Sequence, residues 1–361
     1  MRRSALFTVA AAVVIGAIAL ASAVAGRTST AYVVHPLVSD GGVPAPRHDA
    51  DLVNAWGFAS GPTGPWWTSN EARDTSTLYS GSGRKQLLTV SVAGGPTGVV
   101  FYNGKGFPVA AGKAVAPSRF IYACEDGKIR AWSPTVPGDW SKSAEVVVDL
   151  GGEAAVFRGL AIATVHGTTH VYATDFHNAQ VDVFDSHWRR VVRRGAFTDR
   201  SIPSWYAPFG IQAVGDHIFV TYIWRAPVDG NDAPTGGYVD EFDANGRLVA
   251  RVGRMGALNA PWGVAQAPRS FGRFGGDLLV GDFGDGRINA FRPAGSGWAF
   301  AGTLRAPSGK PLEIDGLWGI AFGNGDLAGP SDRLYFVSGP HQWRGETELA
   351  VHGLIGYVSA D

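Results

Sequence analysis

Short apolar runs, each bounded by glycine, proline, aspartate or asparagine, recur along the chain at the spacing of strands and turns. In the stretch from Asn259 to Phe291, Val264-Ala265 is one such run and Asp277-Leu278-Leu279-Val280 is a second. Arg287-Ile288-Asn289-Ala290-Phe291 then alternates polar and apolar, so the stretch reads as three strands. The same phrase opens at Asn54-Ala-Trp-Gly57, Gly95-Pro-Thr-Gly98, Phe157-Arg-Gly159, Ala207-Pro-Phe-Gly210 and Gly316-Leu-Trp-Gly319. Each opening is followed by a short apolar strand and then by another.

The second strands end in a polar step: Trp66 to Glu71, Ile121 to Asp126, Val171 to Asp175, Ile218 to Tyr222, Leu279 to Asp282 and Leu334 to Ser338. Third strands follow at Ser76 to Tyr79, Lys128 to Trp132, Gln180 to Phe184, Tyr238 to Phe242, Arg287 to Phe291 and His352 to Tyr357. The opening glycines stand at 57, 98, 159, 210, 263 and 319, at intervals of 41, 61, 51, 53 and 56 residues. That period predicts an all-β chain folded as a six-bladed β-propeller. No long stretch shows the 3.6-residue apolar period of an amphipathic helix. The last repeat stops with three strands, and Ala31 to Val38 reads as a strand ahead of the first repeat. Pairing Tyr32 to Val38 into the last blade would close the ring and remove its open edges.

Composition adds the compartment. Met1-Arg2-Arg3, the apolar run Ala5 to Ala21 and Ala23-Val24-Ala25 form a secretory leader with an A-x-A cleavage site. Residues 1–25 are therefore expected to be a signal peptide and 26–361 a single propeller domain, secreted or periplasmic. A retained N-terminal anchor is the competing reading, because the run approaches a membrane-spanning length. Arg2-Arg3 fits either general or twin-arginine export. After cleavage no membrane span is expected. The 31 basic and 31 acidic residues cancel, and nucleic acid is not an expected partner. The single cysteine, Cys124, excludes an internal disulfide and sits where a buried strand residue is expected.

Antiparallel neighbours put the start of each first strand and the end of each second strand at one rim. Two rings of side chains should then converge on one channel mouth. The entry ring holds Asn54, Trp56, Thr97, Arg158, Pro208, Phe209, Asn259, Trp262, Asp315 and Trp318; the exit ring holds Asn70, Glu71, Glu125, Asp126, Asp175, His177, Tyr222, Asp282 and His341. Apolar walls with a few convergent polar groups suit a small molecule, a glycan or a protein at that mouth. The sharpest expectation is one solvent-accessible pocket of Glu71, Asp175, His177, Asp282 and His341, walled by Trp56, Trp262 and Trp318. Several carboxylates around one axis repel unless protonated or bridged, so Ca²⁺ or another divalent cation is a reasonable cofactor.

Three local motifs have plainer readings. Asp229-Gly-Asn-Asp232 lacks the spacing and terminal glutamate of a calcium loop. His166-Gly-Thr-Thr-His170 has zinc-helix spacing but falls on a hairpin. Arg189-Arg190-Val-Val-Arg193-Arg194 reads as the solvated edge of an outer strand, with a polyanion patch as the alternative. A nucleophile elbow, a phosphate loop and a dinucleotide fingerprint are all missing from the sequence.

The blade phrase resembles that of NHL and SMP-30/gluconolactonase-like propellers. More closely, Leu52-Val-Asn-Ala-Trp-Gly57, Asp175-Phe-His-Asn178, Ala257-Leu-Asn-Ala-Pro-Trp-Gly263 and Gly276-Asp-Leu-Leu-Val-Gly-Asp-Phe-Gly-Asp-Gly-Arg-Ile-Asn289 look like an uncharacterised family of secreted bacterial propellers. Some members of that family end in a PEP-CTERM sorting tail, whereas this sequence ends Val358-Ser-Ala-Asp361. The resemblance implies fold and export and brings no established activity. The gluconolactonase-like relatives hold a divalent metal and open sugar lactones, and Glu71, Asp175, Asn259 and Asp282 are the nearest equivalents here. Two functions stay open: a ligand-binding or scaffold module using the channel mouth, or a metal-dependent hydrolase of the lactonase type.

Overall fold

The computed structural model describes residues 30–225, 236–344 and 347–361, and their fold is a six-bladed β-propeller with only three short 3₁₀ turns. The leader 1–25 and the loop Asp229 to Asp232 lie outside the described residues. No helix among the described residues is long and apolar enough to cross a membrane.

Each blade is an antiparallel sheet whose first strand lies innermost. Blade 1 is Ala55–Ala59, Trp66–Asn70, Thr75–Tyr79 and Lys85–Ser91; blade 2 is Pro96–Phe101, Phe120–Cys124, Lys128–Trp132 and Glu145–Asp149. Blade 3 has three strands, Phe157–Val165, Thr168–Asp175 and Gln180–Asp185. Blade 4 is Tyr206–Val214, His217–Trp224, Tyr238–Asp243 and Leu248–Arg254; blade 5 is Pro261–Gln266, Leu278–Asp282, Ile288–Ala294 and Gly297–Thr303. Blade 6 joins Leu317–Phe322, Leu334–Ser338 and Leu354–Ala360 to the N-terminal strand Tyr32–Ser39. That strand pairs antiparallel with the end of the chain, Tyr32 opposite Ala360 and Ser39 opposite Leu354, and so closes the ring as expected. Tyr102 to Ser118 carries a small hairpin, and His166-Gly167 turns between two paired strands, as their sequences suggest.

The six opening glycines have one physical cause. A Cβ on Gly57 would stand 2.5 Å from Thr97 O, on Gly98 2.3 Å from Leu160 N, and on Gly159 2.9 Å from Phe209 O. On Gly210 it would meet Trp262 O at 2.1 Å, on Gly263 Trp318 O at 2.6 Å, and on Gly319 Trp56 O at 3.0 Å. Every inner strand thus leans on the backbone of the next, and the sixth leans on the first. No side chain larger than hydrogen fits at these contacts.

The glycines also mark a break in register. The pairing of first and second strands shifts between Ala55 and Phe58, Phe157 and Gly159, Pro208 and Ile211, Pro261 and Gly263, and Leu317 and Ile320; in blade 2 it shifts near Gly98. A bulge re-aims the residue beside it. The residues that precede the glycines are Trp56, Thr97, Arg158, Phe209, Trp262 and Trp318.

Candidate functional site

Those bulged residues build an aromatic plug on the propeller axis. The Trp56 and Trp318 rings stack at 3.8 Å, with Trp262 edge-on to both at 6.4 and 6.0 Å. Phe209 closes the other side at 6.2 Å from Trp56 and 5.8 Å from Trp318. The Arg158 guanidinium lies 5.3 Å from the Trp56 ring centroid and 5.6 Å from that of Phe176, where the ring faces attract a cation. Beyond the plug, where the inner strands run on toward the far face, the channel holds a cavity of about 310 Å³ walled by residues such as Phe58, Val99, Leu160, Ile211 and Phe322. Of the expected site residues only Trp262 borders it.

A polar crescent from the first three blades sits against the plug. Asn54 donates from Nδ2 to Glu71 Oε2 at 2.7 Å and accepts from Trp318 Nε1 at 3.1 Å. Arg158 is ion-paired with Glu125, and both side chains are part exposed. Burial, then the Glu125 carboxylate beside it, push the Glu71 acid up to about 7 from its ordinary range, against the opposing pull of Asn54 and Arg158. Arg158 Nε and Trp56 Nε1 are buried and make no hydrogen bond to the described residues. Unused donors therefore lie beside the raised Glu71 acid.

The raised acid ties stability to pH. A carboxyl that favours its protonated form in the fold contributes stability below its unfolded value, and the contribution fades as pH rises through about 7. For a fully buried group that shift would be worth ~3 kcal/mol, which solvent contact at this part-exposed site reduces to roughly 1–2 kcal/mol. Glu71→Gln keeps the acceptor for Asn54 and removes the charge. It is expected to match the parent in melting temperature near pH 4 and to exceed it near pH 8; equal melting at pH 8 would contradict an acid held above its usual range.

Seven expected residues, Asn54, Trp56, Glu71, Glu125, Arg158, Trp262 and Trp318, therefore meet at the mouth. Asp175, Asp282 and Tyr222 do not join them. Asp175 and Asp282 are fully buried inside their blades. Asp175 accepts from the Val156 and Asn178 amides at 3.1 and 3.2 Å and from Asn178 Nδ2 at 2.7 Å; Asp282 accepts from Asn289 Nδ2 at 2.7 Å. Burial holds the Asp282 acid well above the usual range. Tyr222 is also buried, with its hydroxyl unpartnered among the described residues. His177 is exposed and its carbonyl accepts from Arg225, while Asn259 accepts from the Gly284 amide at 3.0 Å. The His341 ring lies 5.7 Å from Phe283, which stacks on Trp318 at 4.0 Å.

The expected pocket of Glu71, Asp175, His177, Asp282 and His341 thus mixes two registers. Opposite Ala55, Pro96, Phe157, Pro208, Pro261 and Leu317 stand Asn70, Cys124, Asp175, Tyr222, Asp282 and Ser338, all buried in the blades. The next residue in each case, Glu71, Glu125, Phe176, Ile223, Phe283 and Gly339, occupies the position facing the axis. Adjacent residues of a strand point to opposite sides, so a one-residue difference separates core from mouth. Phe176 and Phe283 were missed, although the repeated pairs Asp175-Phe176 and Asp282-Phe283 carry the signal. The proposed cation set Glu71, Asp175, Asn259 and Asp282 is divided by the same step. Among the described residues no three His, Cys, Asp or Glu side chains form a metal-holding group. Cys124 is fully buried, and burial pushes its thiol up to about 12.

No family model matches the sequence. The chain is similar to the uncharacterised proteins L690 and R648 of Acanthamoeba polyphaga mimivirus. It is 32% identical to L690 over 309 residues, 82% of this chain and 80% of the relative. With R648 it shares 32% identity over 348 residues, 93% of this chain and 82% of the relative. Among solved structures, the soluble aldose sugar dehydrogenase of Escherichia coli superposes with a TM-score of 0.52 at 11% identity, over 91% of this chain and 100% of that one. Virginiamycin B lyase of Staphylococcus aureus superposes with a TM-score of 0.50 at 10% identity, over 91% of this chain and 99% of that one. At these identities the likeness is one of fold.

Proposed function

This chain belongs to the family of β-propeller proteins that includes the mimivirus proteins L690 and R648, and from that premise we propose that it is a ligand-binding module whose channel mouth takes a small polyhydroxylated molecule of the glycan type. The observation that carries the reading is the crescent of Asn54, Glu71, Glu125 and Arg158 set against the stacked indoles of Trp56 and Trp318. Carboxyl, amide and guanidinium groups supply paired acceptors and donors for vicinal hydroxyls, and the partly buried Phe283 ring, stacked on Trp318, supplies apolar surface beside the buried indoles. A lactonase-type hydrolase would need a cation, and the register of Asp175 and Asp282 gives that alternative no support. The Met1–Ala25 leader supports export as part of the same proposal.

Titration with a panel of mono- and oligosaccharides, followed by tryptophan fluorescence and calorimetry, tests the reading. Binding by at least one sugar is expected, weakened about tenfold or more by Arg158→Ala and by Glu125→Gln, since each removes a charge-assisted hydrogen bond. A panel with no binder, or binding indifferent to both variants, would overturn it.

A further inference from the structure

Among the described residues, blade 3 lacks the outer strand that the other five blades possess. Its third strand, Gln180–Asp185, is followed by Arg190 and Val191, which begin an outer strand: Arg190 bridges Phe184, and the Val191 amide donates to Val183 O at 2.7 Å. The chain then leaves the sheet. Phe197 is buried in the core shared by blades 3 and 4, and its amide donates to Gly246 O of blade 4 at 2.7 Å. The sequence suggested an outer strand with a solvated arginine edge here. Arg190 is instead drawn in by a buried partner, with its guanidinium 2.6 Å from Asp182 and 2.8 Å from Glu153.

The departure leaves a gap of about 440 Å³ between the edge of Gln180–Val183 and the loop carrying Arg193 and Arg194. Outward-facing residues alternate along an antiparallel strand. Since Val183 O points outward to Val191, the Val181 N–H and C=O point outward too, and among the described residues no strand pairs with that side. Asp182 borders the gap as well. It is 3% exposed, and its Oδ2 has no hydrogen-bond partner among the described residues while Oδ1 is held by Arg190. Arg193 and Arg194 are exposed on the opposite wall. A cavity in the place of a missing strand, an open backbone edge, an orphaned buried acceptor and a basic wall occur together.

We infer that this gap is a docking site for an extended acidic segment of a partner protein, which completes blade 3 as its fourth strand. Backbone pairing to Val181 supplies the register, a side-chain hydroxyl satisfies Asp182, and carboxylates on alternate residues meet Arg193 and Arg194. The site is separate from the channel mouth and stands whether or not the mouth binds a sugar.

The probe is a fluorescein-labelled peptide of alternating threonine and glutamate, seven residues long, compared with its threonine–lysine counterpart. Anisotropy should show the glutamate peptide binding at low salt and weakening as salt rises. Arg193→Glu together with Arg194→Glu should weaken it about tenfold or more. Val181→Pro, which removes the outward N–H at an edge where proline is tolerated, should abolish binding while the blade stays folded by circular dichroism. In the parent protein, exchange of the Val181 amide should slow when peptide is added. No binding at about 1 mM peptide, or equal binding of both peptides, overturns the inference. Two other outcomes also overturn it: polyphosphate binding that needs the arginines but survives Val181→Pro, which marks a polyanion patch, and self-association lost in Val181→Pro, which marks a second copy as the occupant.

Discussion

Gly210→Ala is expected to yield a chain that does not close its ring, recovered largely as insoluble protein. The added Cβ would stand 2.1 Å from Trp262 O and 2.8 Å from Trp262 C, and both atoms belong to the backbone of the next blade's inner strand. A flexible side chain could swing away from such an intrusion, whereas a paired backbone cannot. Nor can one blade retreat alone, because Gly263 leans on Trp318 O, Gly319 on Trp56 O, and so on around the circle. Overpacking of a core costs about 1–3 kcal/mol where neighbours can relax; a backbone collision in a closed ring belongs to the exceptional range above ~4 kcal/mol. Gly297→Ala is the control, since its Cβ would meet nothing within 4 Å. Denaturant titration of any soluble fraction checks the prediction, and a Gly210→Ala protein as stable as Gly297→Ala would disprove the ring of contacts.

Loss of the closing strand should be nearly as damaging. Tyr32 is completely buried, its ring 5.1 Å from Phe271 and 5.9 Å from Phe274. Its hydroxyl donates to Phe271 O at 3.3 Å and accepts from the Phe274 amide at 3.2 Å, which locks the N-terminal strand onto blade 5 as well as blade 6. Tyr32→Ala removes the ring and leaves the Phe274 amide without this acceptor, so a loss of about 3–5 kcal/mol is expected. A chain begun at Asp40 would also expose the edge of Leu354–Ala360, a template for pairing with other molecules. It is expected to aggregate on refolding, with light scattering as the measurement. A monomeric, cooperatively melting Asp40 chain would mean that the velcro pairing contributes little.

The polar crescent shows how far residue type carries and where it stops. Asn54, Glu71, Glu125 and Arg158 were legible as mouth residues because rim position follows from antiparallel pairing alone. Asp175 and Asp282 looked equivalent to Glu71 by type, yet their own blades consume them as acceptors for Asn178 and Asn289. The carboxylate pattern was right about the rim and wrong about the face. Arg190 misled in the opposite way: a run of arginines reads as solvated, and only the buried Asp182 beside it explains why one of them turns inward.

Six blades, the closing strand, the buried Cys124 and the hairpin at His166 were determined by the sequence itself, because each rests on spacing along the chain. A glycine every 41 to 61 residues records a contact made once per blade, and a local pattern repeated that often leaves one architecture. Three features were decided only in the tertiary structure. The bulge at each glycine turns the preceding side chain onto the axis and makes Trp56, Trp262, Trp318 and Phe209 a plug rather than the walls of an open pocket. The one-residue register at the second-strand ends sends Glu71 to the mouth and Asp175 to the core, a choice between faces that residue type does not encode. The missing strand of blade 3 follows from Phe197 packing between blades 3 and 4 instead of the chain continuing along Gln180–Val183. All three depend on how blades lean on one another, and contacts between segments far apart in the chain leave no period to read.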